Sequence, residues 1–147
     1  GKGMKDSKGF SLIELLIVVA VISVLAALAV PNFMQTKKAA NEGSAIANVR
    51  TLGTAQFTFW TNGQDTFATS LNELVAEGIV YGALASGTQD GYTFVLTGET
   101  ADFTINADPI SPNTGTRHFF MDESGVIRYS LTGPASESSE PLGGTGT

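Results

Sequence analysis

A chain of 147 residues with 42% hydrophobic content and a formal charge of −6 has room for one membrane-crossing segment and one small core, and not for two domains. Its acidic balance, five basic against thirteen acidic side chains from Phe10 onward, disfavours a nucleic-acid-binding surface, so no nucleic-acid partner is expected. With no cysteine, one histidine (His118) and no serine in a nucleophile-elbow pattern, acyl-transfer and zinc chemistry have no visible machinery, and the chain reads as a non-enzyme with no cofactor and no metal site.

Residues 1–9 are short and basic, with Lys2, Lys5 and Lys8 opposed by Asp6. The run from Phe10 to Val30 follows, holding fourteen Leu, Ile, Val and Phe residues, four Ala, two Ser and one acid, Glu14. As a helix it would extend about 32 Å, enough to cross a bilayer. On an insertion scale its apolar residues contribute roughly −4 to −8 kcal/mol, against about +2.5 to +3.5 for a charge at midspan. Insertion therefore survives Glu14. An intramembrane acid nonetheless requires a use and a partner.

The segment Lys8-Gly9-Phe10-Ser11-Leu12-Ile13-Glu14-Leu15-Leu16-Ile17-Val18-Val19-Ala20 resembles, nearly letter for letter, the N-terminal signal of type IV pilins and of the pseudopilins of type II secretion. In that family a prepilin peptidase cuts after the glycine and N-methylates the new first residue. The resemblance implies cleavage between Gly9 and Phe10, methylation of Phe10, and a leader that begins at Met4. It further implies that Glu14 pairs with the Phe10 amine of a neighbouring subunit. One helical turn, roughly 6 Å along the axis, separates the two positions. A desolvated ion pair adds little net stability, whereas one partner left alone costs several kcal/mol, so such a pair selects register more than it strengthens a bundle. Because the amine appears only on cleavage, processing would gate assembly.

Two plainer readings compete. Ala27-Leu28-Ala29 is an A-x-A pattern of the kind an ordinary secretory signal carries, but the apolar run is long for an h-region and an acid inside one is unexpected. A signal anchor explains the span and leaves Glu14 and Gly9-Phe10 unaccounted for. Flanking charge points to a cytoplasmic N-terminus, with Lys37 and Lys38 on the far side of the span softening the asymmetry.

Pro31 cannot donate to the carbonyl of Ala27, so a kink or local loosening is expected there. Beyond it Ile46, Val49, Leu52, Ala55 and Phe59 recur at three- and four-residue steps, with Asn41, Ser44, Asn48 and Thr51 on the other side, which predicts an amphipathic continuation of the helix. Gly43 and Gly53 weaken it by about 1 kcal/mol each relative to Ala, so packing must hold it. Asn62-Gly63 ends it. Ser70-Leu71-Asn72-Glu73 reads as a capping box opening a short helix that Gly78 closes.

Residues 80–90 read as loop. Four strands are then expected, at Tyr92 to Thr97, Phe103 to Ala107, Arg117 to Met121 and Val126 to Leu131, with a rigid loop from Asp108 to Asn113 between the second and third. His118 is expected to be an ordinary strand residue. Asp122-Glu123-Ser124-Gly125 reads as the last hairpin turn; it could offer calcium ligands, as the head of some pseudopilins does, but no ligand is assigned. Phe57, Phe59 and Trp60 are expected to pack in the head.

The fold expected is α+β and pilin-like: a long bent N-terminal α-helix with an antiparallel four-stranded sheet packed on its C-terminal half. Its parts are a cleaved leader (1–9), a transmembrane or filament-core helix (10–30), an amphipathic continuation (31–62), a globular head (63–131) and a disordered Gly/Ser/Thr tail (132–147). The function expected is that of a structural subunit of a type IV pilus-like filament. It would enter the bacterial inner membrane as a single-pass precursor, be processed by prepilin peptidase and polymerise with copies of itself outside the cytoplasm. An assembly ATPase and an inner-membrane platform are the partners the family implies, with a secretin where there is an outer membrane. A type II secretion pseudopilin and a membrane-anchored binding module that never polymerises are the alternatives.

Overall fold

The computed structural model describes residues 9–143, so the leader expected before Gly9, with its lysines and Met4, and residues 144–147 lie outside the described residues. Helix α1 runs from Leu12 to Phe59 and contains Pro31. The chain divides between Thr36 and Lys37 into two compact units, taken separately below.

In the first unit every residue of α1 is exposed. This stretch is long and apolar enough to cross a membrane, and its hydroxyls are satisfied inside the helix: Ser23 Oγ donates to the Val19 carbonyl at 2.7 Å and Thr36 Oγ1 to that of Asn32 at 2.9 Å. Such back-bonding leaves no hydroxyl seeking water.

The second unit begins with the amphipathic part of α1. The expected stripe is the buried one: Val49, Leu52, Ala55 and Phe59 are buried, joined by Ala45, with Ile46 partly covered. After a π-helical turn over Trp60–Gln64, in which Gly63 takes φ 92°, the chain continues through α2 (Leu71–Ala76) and a 3-10 turn (Gly82–Ser86). An antiparallel meander follows: β1 (Thr88–Gln89), β2 (Tyr92–Gly98), β3 (Phe103–Pro109), β4 (His118–Asp122), β5 (Ile127–Ser130) and β6 (Glu140–Pro141), in that spatial order. Tyr92, Phe94 and Leu96, then Phe103, Ile105 and Ala107, then Phe119 and Met121 face the helix stripe in one core. The alternation of β2 and β3 is the period-two pattern that a half-covered sheet requires.

Gly53 has a packing reason. A Cβ there would fall 2.5 Å from the terminal methyl of Met121, so alanine would require that side chain to shift.

Four expectations need correction. The sheet has six strands rather than four, because residues 80–90 supply a 3-10 turn and β1, and because residues 132–143 are not a disordered tail. That C-terminal segment straps the sheet: Asn106 Nδ2 donates to the Ala135 carbonyl at 3.0 Å, Arg128 Nη1 to that of Ser139 at 2.9 Å, and the Leu142 amide to that of Ile127 at 2.8 Å. Ala135 and, on the outer face of β4, Phe120 are buried. A segment with few apolar residues orders here because the sheet offers it hydrogen-bonding partners and one outward-facing aromatic to cover.

The box at Ser70 is displaced by one residue. Ser70 makes no side-chain cap; instead Glu73 accepts from the Thr69 amide at 2.8 Å and the Thr69 hydroxyl at 2.9 Å. On the side of α1 away from the apolar stripe, Asn41 and Ser44 reach neighbouring loops. Asn41 Nδ2 donates to the Thr114 carbonyl at 2.9 Å and Ser44 Oγ to Asp90 at 2.6 Å.

Beside them sits Glu42, which fastens α1 to the β3–β4 loop. Its carboxylate accepts from the Thr116 and Arg117 amides at 3.0 and 2.9 Å and from Arg117 Nε at 3.1 Å. Burial pushes its pKa up, but the two amides and the guanidinium outweigh burial and hold it below the ordinary glutamate value. The Arg117 guanidinium lies 5.3 Å from the centre of the Phe119 ring and 5.6 Å from that of Tyr129. Tyr92 donates to the Arg117 carbonyl at 2.6 Å, and burial, reinforced by Glu42, raises its phenol pKa. His118 is on β4, with Nδ1 2.6 Å from Asp108.

At the other end of the helix stripe Gln56, fully buried, accepts from the Ala68 amide at 2.8 Å and donates to the Ala68 carbonyl at 2.9 Å. Replacing it by methionine leaves both backbone groups buried and unpaired, a loss of about 2–5 kcal/mol. Unfolding of the full chain in detergent, followed by fluorescence of the single tryptophan, Trp60, measures this; Trp60 packs edge-on against Phe67 at 4.5 Å.

A lowered carboxylate pKa contributes stability that is complete above the unfolded-state value, 4.5 for Glu42, and lost as pH falls through the folded-state value. Glu42→Gln is expected to cost about 1.5–3 kcal/mol at pH 7 and to flatten the loss of stability below pH 4.5. Denaturant midpoints across that pH range check both.

Candidate functional site

Gly9, Phe10 and Ser11 precede the helix in coil, and Glu14 lies in its first turn. Nothing in the fold asks for glycine at position 9. Among the described residues a Cβ there would meet nothing within 4 Å. Phe10 is 77% exposed.

The helix start is built by a reciprocal pair that sequence reasoning missed. The Glu14 amide donates to Ser11 Oγ at 3.3 Å, and the Ser11 hydroxyl donates to Glu14 Oε1 at 3.1 Å. Ser11-Leu12-Ile13-Glu14 has the S-x-x-E spacing of a capping box. The signal was in the sequence, three residues of spacing identical to that at Ser70, but it was masked by the apolar run around it. The box accounts for the serine and for part of the carboxylate. An ionised carboxylate has about four acceptor positions, and within one chain the bond described here fills one.

From Phe10 to Met34 large apolar side chains are exposed on all sides of the helix, among them Leu12, Ile17, Val24, Leu28 and Phe33. A helix apolar all round requires an apolar surrounding: lipid, or other helices of the same kind. Pro31 lies within this surface, where the missing amide leaves the Ala27 carbonyl without its helical donor.

Among the described residues no group of three or more His, Cys, Asp or Glu could hold a metal ion. Asp122 is engaged by its own turn, accepting from the Ser124 amide at 3.0 Å, and Glu123 accepts from the Phe103 amide at 3.3 Å. Phe57, Phe59 and Trp60 pack as expected: Phe59 is buried, and Phe57 meets Phe67 and Phe103 edge-on at 5.5 and 5.6 Å.

Residues 4–30 match the prokaryotic N-terminal methylation motif. The chain is 41% identical over 68 residues to the type IV major pilin protein PilA of Myxococcus xanthus, covering 46% of this chain and 30% of that one. It is 54% identical over 39 residues to the type IV wide pilus major component of Thermus thermophilus, covering 26% and 30%, and 46% identical over 52 residues to a fimbrial protein of Pseudomonas aeruginosa, covering 35% and 34%. The matches thus span about a third of the length of these curated relatives. No solved structure matches the chain.

Ser11→Ala is expected to weaken the helix start by about 1 kcal/mol. Amide hydrogen exchange in micelles should speed up about five-fold at Glu14, whose amide donates to Ser11 Oγ, and at Leu15, whose amide donates to the Ser11 carbonyl, while exchange beyond the first turn stays unchanged.

Proposed function

We propose that this chain, by its N-terminal segment a member of the type IV pilin and pseudopilin family, is the structural subunit of a type IV pilus-like filament. It enters the inner membrane as a single-pass precursor with its N-terminus in the cytoplasm. Prepilin peptidase cuts between Gly9 and Phe10 and methylates Phe10. An assembly ATPase and a membrane platform then drive polymerisation, with residues 10–30, most of them in α1, as the filament core.

The observation that carries this reading is the all-round apolar exposure of the first-unit part of α1, with a single acid in its first turn. A plain anchor needs the first feature and has no use for the second. In the filament, cohesion comes from apolar burial, at roughly 25 cal/mol per Å² removed from contact with water. Register comes from Glu14, which reaches the Phe10 amine of a neighbouring copy with the acceptor positions that Ser11 leaves free. Pro31 is the place where the helix loosens as subunits pack, because one rung of its hydrogen-bond ladder is already missing. The names of the relatives, all pilus or fimbrial proteins, support a pilus over a secretion pseudopilus.

Two measurements test this. Mass spectrometry of mature protein should find N-methyl-phenylalanine at position 10; a chain beginning at Val30 would mean ordinary signal cleavage, and an intact leader a simple anchor. Glu14→Ala should remain in the membrane and lose fibres, a desolvated partner left alone costing about 3–5 kcal/mol per subunit contact; fibre yield equal to wild type would refute the register role.

A further inference from the structure

The π-helical turn that ends α1 contains an asparagine followed by glycine, and nothing around that pair restrains it. Thr61, Asn62, Gly63 and Gln64 are all exposed, the turn has no buried residue, and Gly63 departs from helical geometry at φ 92°. A wide turn at a helix end, without core contacts, opens locally at little cost. The side-chain bonds of this turn stop at Thr61, whose hydroxyl donates to the Thr58 carbonyl; among the described residues none reaches the Asn62 amide group.

The other asparagines are guarded in one of two ways. Asn41, Asn48 and Asn106 have their amide groups engaged by Thr114, Ser44 and Ala135. Asn32, Asn72 and Asn113 are followed by Phe33, Glu73 and Thr114, whose side chains crowd the next backbone nitrogen. The comparable acid-glycine pair, Asp90-Gly91, is packed. Ser44 Oγ donates to the Asp90 carboxylate at 2.6 Å, the Gly91 carbonyl accepts from the Ile110 amide at 2.9 Å, and a Cβ on Gly91 would press on Thr114.

We infer that Asn62 converts itself to aspartate and isoaspartate through a cyclic imide with Gly63, and that the conversion loosens the turn ending α1. The Gly63 nitrogen gives up its proton and attacks Asn62 Cγ; the N–Cγ bond forms, the Cγ–Nδ2 bond breaks, and ammonia leaves with a proton equivalent to the one released. Water then adds to one of the two imide carbonyl carbons. Opening at Cγ restores the main chain and leaves an aspartate side chain, whereas opening at the main-chain carbon gives isoaspartate, with the main chain rerouted through the former side chain. Only water is consumed. Glycine admits the approach because it carries no Cβ, and adjacency makes the attack intramolecular.

Either product places a carboxylate at the C-terminal end of the helix, where unpaired carbonyls already present negative partial charge. No Lys, Arg or His occurs from Thr51 to Thr116, and the preceding base on the helix, Arg50, lies roughly 18 Å back along the axis. Trp60 sits on the same turn, edge-on to Phe67 at 4.5 Å, and reports its loosening. The inference goes beyond the filament reading and does not depend on it.

Full-length protein in detergent, held at mildly alkaline pH and sampled over days, is digested and mapped by tandem mass spectrometry with isoaspartate detection. Amide loss at Asn62 should run about ten-fold or more ahead of that at every other asparagine, and Trp60 emission should shift to the red in step with it. Asn62→Gln should abolish both changes, because the longer side chain disfavours ring closure. An Asn62 that stays intact, equal loss at all asparagines, or isoaspartate forming as fast at Asp90 as at Asn62 overturns the site. Conversion at Asn62 with Trp60 emission unmoved overturns the loosening.

Discussion

A helix that is apolar on every side cannot give any side to water, and the first unit of this chain is such a helix. Each large side chain moved from water into an apolar surrounding contributes about 1.5–3 kcal/mol, and none of those from Phe10 to Val30 is buried within the chain. Everything else about this segment follows from the need for an outside partner. The hydroxyls of Ser23 and Thr36 are folded back onto carbonyls, so the surface offers no competing polar attraction. Apolar burial is non-directional, however, and a stack of such helices would slide without a polar landmark. Glu14 is the one ionisable side chain in the run, placed in the first turn of the helix.

The second unit solves the opposite problem, closing a small core with internal means alone. It has no disulfide, and its ends are held by polar groups that reach backbone. Glu42 and Asn41 take hold of the β3–β4 loop, Gln56 takes both groups of Ala68, and Asn106 with Arg128 holds the C-terminal strap. Each of these bonds links residues remote in sequence, so each restrains a loop that would otherwise be free. Gly115 belongs to the same device: a Cβ there would collide with the Tyr92 ring, and the tyrosine could not then reach the Arg117 carbonyl.

What the sequence made legible was periodic. The step of three and four from Ile46 to Phe59 marked the buried stripe, and the alternation of Tyr92, Phe94 and Leu96 marked the inner face of β2, because repeated apolar positions report a face directly. What it hid was singular. Gln56 stands within an apolar stripe with nothing in its neighbours to say that Ala68 is its partner. The strap from 132 to 143 has too little apolar content to announce itself, and its one outward cue is Phe120, which breaks the alternation of β4 by being buried between Phe119 and Met121. The two S-x-x-E patterns show the limit of local reading: the one at Ser11 forms a reciprocal box, while at Ser70 the same spacing yields to Thr69, whose amide and hydroxyl the carboxylate reaches together. The motif at Gly9-Phe10 was legible for a different reason. It matches a sequence motif over residues 4–30, so it is recognised by its letters rather than by any contact of this fold.

Polar satisfaction separates the two units most sharply. Among the described residues no buried side-chain nitrogen or oxygen lacks a hydrogen-bond partner, so the head is complete as a single chain, down to the buried amide of Gln56. Among the described residues Glu14 is bonded only to the serine three residues before it. Its free oxygen is tolerable while water reaches it. Once the apolar surface around it is covered, whether by lipid or by other helices, that oxygen loses its water and the cost of leaving it unpaired rises to several kcal/mol. Lipid covers the helix at a cost that its apolar run outweighs but supplies no donor; on the filament reading proposed above, a second subunit would bring both an apolar flank and a terminal amine.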